Sequence, residues 1–340
     1  MKLSDLGEFG LIDRIKNLVA SDSRGILVGI DDDAAAVQIS PDKILLATTD
    51  ALIEGVHFDL SYFNFYQLGW RALAANLSDI AAMGGQPLYA LVSVGLPTHL
   101  EVANALDFYR GMKALGDQFQ TAIVGGDTTQ SPDRVFISIT VLGQAQAERL
   151  LRRSGAQIGD AVFVTGDLGG SVAGLCALKS PDHKLRAKYP AAIEKHLLPR
   201  PRVHEAQFVV ENFPIHAMID ISDGLASEVH HICRLSKVGA LVYEEKIPIA
   251  AETRAVADHF KEAPLEYALY GGEDFELLFT APGEASDELP KKFYEKFGLP
   301  CTNIGVIENQ TVRLRKSDGA TEELSSLGYD HFRKLKAKPR

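Results

Sequence analysis

Five short clusters in this chain carry residues able to do chemistry: Asp31-Asp32-Asp33, Thr48-Thr49-Asp50, Asn76-Leu77-Ser78-Asp79, Gly125-Gly126-Asp127-Thr128-Thr129 and Asp220-Ile221-Ser222-Asp223-Gly224. Each sets carboxylates beside Gly, Ser or Thr. Carboxylate, hydroxyl and backbone oxygens are the hard ligands of Mg²⁺, which is held by a few carboxylates together with substrate phosphates. The chemistry they suggest is a site with several Mg²⁺ ions that handles nucleotide phosphates. Taken singly, an Asp beside Gly or Ser is ordinary turn and helix-cap chemistry. Several of these clusters, however, follow apolar runs at 43–49, 121–124 and 217–221. Acids at the carboxyl ends of such strands sit where α/β proteins bind ligands.

Other segments add to the pattern. Gly125-Gly126 would let backbone N–H groups approach a phosphate while Asp127 holds a bridging metal. Gly271-Gly272-Glu273-Asp274-Phe275 reads similarly, and His57 lies seven residues past Asp50. The turn Gly166-Asp167-Leu168-Gly169-Gly170 opens a helix and could hold an anion or serve plain turn geometry. His230-His231 lacks metal-ligand spacing. The P-loop, the dinucleotide-binding glycine fingerprint and the protein-kinase elements are all missing from the sequence.

Positioning these residues requires alternating strands and helices. Residues 34–39 and 43–49 read as a strand pair, 65–83 as a helix with Leu73, Leu77 and Ile80 on one stripe, and 87–95 as a strand. A helix at 100–119 and strands at 121–124 and 134–143 follow. The polar segment 144–159 reads as a linker. A second unit opens with a strand at 161–165, a helix from Ser171, and strands at 216–221, 240–243, 275–280, 302–307 and 311–315. Two domains, 1–145 and 146–340, are expected for 340 residues.

Composition bounds the rest. With 46% apolar and 24% charged residues, the chain reads as globular. A net charge of −10 argues against nucleic-acid binding and demands cations wherever a polyphosphate binds. Three widely spaced cysteines fit a reducing compartment. No apolar run is long enough to span a membrane and the first residues have no apolar signal core, so a cytoplasmic protein is expected.

In combination the motifs are specific. Gly7-Glu8-Phe9-Gly10-Leu11-Ile12, Asp32-Asp33-Ala34-Ala35, Thr48-Thr49-Asp50, Asn76 to Gly84, Gly125-Gly126-Asp127-Thr128, Arg153-Ser154-Gly155-Ala156, Asp220 to Leu225, Gly271 to Leu277 and Gly328-Tyr329-Asp330-His331-Phe332 resemble the thiamine-monophosphate kinase family. The resemblance implies an α/β (α+β) fold like that of aminoimidazole ribonucleotide synthetase. An N-terminal mixed-sheet domain would pair across a homodimer, and a C-terminal α/β domain would complete the site. It further implies ATP-dependent phosphorylation of thiamine phosphate to thiamine diphosphate, with several Mg²⁺ ions. Asp33, Thr48, Thr49, Asp50, Asp79, Asp127, Asp220 and Asp223 would be metal ligands, with Asp50, Asp127 and Asp223 closest to the chemistry. Tyr109, Gly126, Asp127, Arg153 and Ser222 would meet ATP; His57, Glu273 and Tyr329 would meet thiamine phosphate. Asp31 stands where the family usually has Gly and is expected to face solvent.

Two relatives with other substrates are disfavoured by their cysteines. Selenophosphate synthetases need a reactive Cys or selenocysteine near the start, and this chain has none before Cys176. The hydrogenase maturation type carries a C-terminal Cys, whereas this chain ends Ala337-Lys338-Pro339-Arg340. A non-catalytic nucleotide-binding protein would be expected to have lost some of the metal acids, and all are present.

Overall fold

Two sheets form the frame of the computed structural model, which describes residues 25–30 and 32–326 together with Gly10 and Ile12. Asp31 and Tyr329, both singled out above, lie outside the described residues. The first sheet contains β1 (Ile26–Val28), β2 (Ala35–Gln38), β3 (Lys43–Ile53), β4 (Gln86–Leu96), β5 (Ala122–Gln130) and β6 (Phe136–Gln146). Its order is β1-β2-β3-β6-β4-β5, and only β4 and β5 run parallel. The second contains β7 (Ala161–Thr165), β8 (Ala217–Asp220), β9 (Gly239–Tyr243), β10 (Leu277–Ala281), β11 (Cys301–Glu308), β12 (Val312–Arg315) and β13 (Thr321–Glu323), in the order β13-β12-β9-β11-β7-β10-β8.

Helices α1 (Phe65–Ala82) and α2 (Val102–Gln118) cover the inner face of the first sheet. The second domain adds α3 (Gly170–Lys179), α4 (Lys184–Lys188), α5 (Pro190–Leu197), α6 (Val203–Asn212), α7 (Leu225–Ser236), α8 (Ala251–Phe260), α9 (Pro264–Tyr270) and α10 (Glu288–Phe297). A capping box starts α1: Asn64 Oδ1 accepts from Gln67 N at 2.8 Å, and Gln67 Oε1 accepts from Asn64 N at 3.1 Å. Glycines let α1 and α2 touch backbone to backbone; a Cβ at Gly69 or Gly111 would lie 1.9 Å from the partner helix's carbonyl.

One apolar core runs through both domains. It joins Leu73, Leu77 and Ile139 to Ala206, Met218 and Phe279. Helix α1 is therefore buried nearly all round, and Trp70 Nε1 donates across to Pro199 O at 2.7 Å.

The strand and helix expectations hold to within a few residues, with two informative exceptions. Thr48-Thr49-Asp50 and Gly125-Gly126-Asp127 were expected at strand ends; they lie inside β3 and β5. Strict alternation then divides them between faces. Thr48 and Asp50 point to the inner face with buried Ile44, Leu46 and Leu52, while Thr49 points outward. Register carries the outer face from Ala51 through Ser138 and Ser93 to Asp127.

Candidate functional site

Three carboxylates from three elements converge. Asp33 follows β1, Asp79 lies on α1 and Asp220 ends β8; each offers an oxygen within 4.8 Å of the other two. Hydroxyls hold two of them, Thr48 Oγ1 donating to Asp79 Oδ2 at 2.5 Å and Ser78 Oγ to Asp220 Oδ2 at 2.6 Å. Arg153 donates from NH2 to Asp33 Oδ1 at 2.7 Å, and its backbone N–H reaches Asp32 Oδ1 at 3.2 Å.

The electrostatics are strained towards cation capture. Burial, then the charges of Asp50, Asp220 and Asp33, hold the Asp79 carboxyl well above the usual range, although the Thr48 hydrogen bond opposes this. Burial and Asp33 do the same to Asp220, against Ser78 and Arg153. Loss of hydration lifts Asp50 to about 6; burial and Asp33 lift Asp32 to about 7. Burial would weaken Arg153, but its ion pairs with Asp33 and Asp32 outweigh that and raise its pKa. Three carboxyls, Asp32, Asp33 and Asp220, thus crowd around Arg153, which is ion-paired with the first two.

Two buried oxygens, Asp33 Oδ2 and Asn76 Oδ1, have no hydrogen-bond partner among the described residues. Orphaned acceptors beside raised carboxyls are a donor set for hard divalent cations. Asp33, Asp79 and Asp220 would hold such an ion, with Asp50 and Thr48 adjoining.

The loop 220–224 is fixed by the loop 271–275. Glu273 N donates to Ser222 O at 2.7 Å and Phe275 N to Ile221 O at 2.9 Å. The fit requires glycine: a Cβ at Gly272 would lie 2.2 Å from Ser222 O, and Gly224 adopts φ +112°. Glu273 and Phe275 sit in the left-handed region at φ +68° and +51°, a strained conformation for residues with side chains. Glu228, which sequence reasoning missed, accepts from Asp223 N at 2.7 Å and Ser222 N at 3.2 Å. Its signal was an acid in the first turn after Asp-Gly, at the positive end of α7.

The helix start at 166–170 holds an anion, and that anion is internal. Asp274 accepts from Gly169 N at 2.6 Å and Ser171 N at 3.0 Å at the start of α3. Burial lifts its carboxyl to about 7 despite these bonds.

Other expected residues stand apart from the carboxylate cluster within one chain. Thr49 Oγ1 is on the outer face, donating to Ile139 O at 3.1 Å. Gly126 and Asp127 are exposed on the edge strand β5, three strands from Asp50, or about 14 Å at ordinary strand spacing. Gly126 is glycine because a Cβ there would lie 1.8 Å from Val92 O. Tyr109 packs edge-on to Phe108 on α2. His57 Nδ1 accepts from Ile53 N at 2.9 Å, which places the proton of the neutral ring on Nε2. Glu273 pairs with Arg71, a residue the sequence did not single out.

Family models described as AIR synthase related protein, N-terminal domain and C-terminal domain match residues 31–145 and 157–316. A thiamine-monophosphate kinase of Aquifex aeolicus is 40% identical over 308 residues, covering 91% of this chain and 94% of that protein. The chain belongs to the thiamine-monophosphate kinase family. The Bacillus subtilis thiamine-monophosphate kinase is 35% identical across 96% of this chain and its own full length. A solved structure described as AaThiL complexed with AMPPCP and TMP superposes with a TM-score of 0.82 at 36% identity, covering 97% of this chain and 99% of that one. The AIR synthase-type fold expected from the motifs is the fold found.

Proposed function

We propose that this protein transfers the γ-phosphoryl group of ATP to the phosphate of thiamine monophosphate, giving thiamine diphosphate and ADP. The observation that carries the reading is the convergence of Asp33, Asp79 and Asp220 beside the strained Glu273 loop. Kinase relatives along nearly the whole chain, and a relative solved with AMPPCP and TMP, support the two substrates.

Phosphoryl transfer asks for in-line positioning and neutralisation of the transferring oxygens. Mg²⁺, when bound, would supply that neutralisation. The protein's part is to hold Asp33, Asp79 and Asp220 at a common point, with Asp50, Asp223 and Thr48 adjoining. Arg153 and Ser222 lie at this edge and would meet ATP phosphates. The acceptor phosphate is already ionised near neutral pH, so no strong base is needed. Glu273 would offset the thiazolium charge, and His57 with Tyr329 would complete acceptor recognition.

The active molecule is a homodimer, its domains being 1–145 and 146–340. Supporting this, the outer face of the first sheet exposes Ile53, Tyr89, Leu91 and Phe136, an apolar patch that monomers rarely leave bare. Thr49, Gly126 and Asp127 adjoin this patch and would enter the nucleotide site through the second copy, with Tyr109 beyond them. The protein acts in the cytoplasm, in accord with its free Cys176, Cys233 and Cys301. Nucleic acid is not expected as a partner of a chain with a net charge of −10; no described helix is long and apolar enough to cross a membrane.

The test is ADP release measured with thiamine monophosphate, thiamine and an aminoimidazole ribonucleotide precursor side by side. Turnover specific to thiamine monophosphate supports the reading; equal turnover with the aminoimidazole precursor, or none with any acceptor, overturns it.

A further inference from the structure

Arg71 is 2% exposed on α1, on the same helix as Ser78 and Asp79. A buried guanidinium is strongly unfavourable unless paired and hydrogen-bonded. Its polar partners come from the other domain. NH1 donates to His196 O at 2.5 Å, and NH2 forms an ion pair with Glu273 Oε1, without hydrogen-bond alignment. The Phe63 ring lies 5.5 Å from Cζ and closes the remaining side.

Glu273 needs such an anchor. Its backbone is in the left-handed region at φ +68°, secured by its N–H to Ser222 O, and its side chain is 38% exposed. The ion pair is made through Oε1. Tyr62 stands close by. Burial first, then Asp59, raises its phenol; Arg71 opposes and Glu273 adds to the rise. The neighbourhood is thus a half-open carboxylate, held on one oxygen, beside an aromatic ring. That suits a cationic heteroaromatic ring.

We infer that Arg71 is a positioning residue for acceptor specificity: it pins one oxygen of Glu273 across the domain interface so that the other faces the cationic ring of the acceptor. The inference rests on the reading of Glu273 as an acceptor contact. Because Arg71 acts on a group that meets the acceptor and not on the transferring phosphoryl, its effect falls on acceptor binding.

Four proteins test it: Arg71→Met, Arg71→Lys, Glu273→Gln and the double variant Arg71→Met/Glu273→Gln. Steady-state kinetics in both substrates and melting temperature are measured for each. Arg71→Met raises KM for thiamine monophosphate about tenfold, leaving kcat and the KM for ATP within about twofold. Arg71→Lys, which keeps the charge, recovers most of the acceptor KM. In the Glu273→Gln background Arg71→Met adds nothing further, since the group it acts through is gone. Loss of kcat and of both affinities in proportion to lost melting temperature, no rescue by Lys, or full additivity with Glu273→Gln overturns the proposal. A wild-type acceptor KM in Glu273→Gln refutes the reading of Glu273 itself; Arg71→Met still raising that KM would then mean that Arg71 acts by another route.

Discussion

Neutralising Asp79 should make the metal-free protein more stable while abolishing its response to Mg²⁺. Two unit charges 4.8 Å apart, the limit separating the Asp33, Asp79 and Asp220 oxygens, repel by about 3.5 kcal/mol at an effective dielectric of 20. Asp79 takes part in two such pairs. In the metal-free protein burial and mutual repulsion favour the protonated forms of Asp79 and Asp220, whose carboxyls are held well above their usual range. The relief on Asp79→Asn is therefore smaller than the Coulomb sum, about 1–3 kcal/mol near neutral pH. Asn also keeps an oxygen for the Thr48 hydroxyl. In EDTA, Asp79→Asn should melt about 1–4 °C above wild type. In Mg²⁺ the gap should close or reverse: wild type gains about 2–3 kcal/mol once the ion exceeds its dissociation constant about 100-fold, and the variant gains almost nothing. Turnover in the variant should fall about 100-fold or more. Differential scanning fluorimetry against a Mg²⁺ titration reads both effects. A variant less stable than wild type in EDTA, yet stabilised equally by Mg²⁺, would refute the reasoning.

Three further outcomes are expected. Equal mixing of Asp79→Asn and Asp127→Asn subunits, each inactive alone, should restore about a quarter of wild-type activity if Asp127 serves the partner's site, since half the dimers then carry one intact site; no recovery means that Asp127 acts in its own chain. Asp274 has its pKa raised from 3.8 to about 7, so the native state keeps a proton that the unfolded chain releases, and stability falls as pH rises from about 4 to 7, by at most about 4 kcal/mol from this group. The Asp274→Asn variant should show a shallower decline of melting temperature over that window, and superimposable curves would contradict this. Gly272→Ala should cost about 2–4 kcal/mol and most of the activity, because its Cβ falls 2.2 Å from Ser222 O and must part the two loops that carry Asp220 and Glu273; wild-type melting would refute the tight backbone contact.

What the sequence made legible, and what it did not, follows from how each signal is encoded. Apolar periodicity and Gly-Asp punctuation placed α1, β7 and β8 nearly to the residue and found the start of β3 but not its end. The local motifs of Asp33, Asp79 and Asp220 were visible for the same reason. Thr48 and Thr49 were read together although period-2 alternation separates them, and the turn-like look of Gly125-Gly126-Asp127 hid a strand whose glycine accommodates the β4 backbone. Arg71 left no local trace, since α1 is buried almost all round and no stripe distinguishes an inward cation. Its partners, His196 and Glu273, lie more than a hundred residues away. The contact between loops 220–224 and 271–275 is likewise long-range, made by backbone groups that any residue carries.

The central claim, direct transfer of a phosphoryl group onto an existing phosphate at a carboxylate-bound metal site, is tested most directly by ³¹P NMR of ATP and thiamine monophosphate with the protein. With Mg²⁺, the thiamine monophosphate singlet should give way to the paired doublets of thiamine diphosphate in step with the appearance of ADP, and EDTA should stop both. Inorganic phosphate growing in place of the doublets, or doublets forming at an undiminished rate in EDTA, would contradict it.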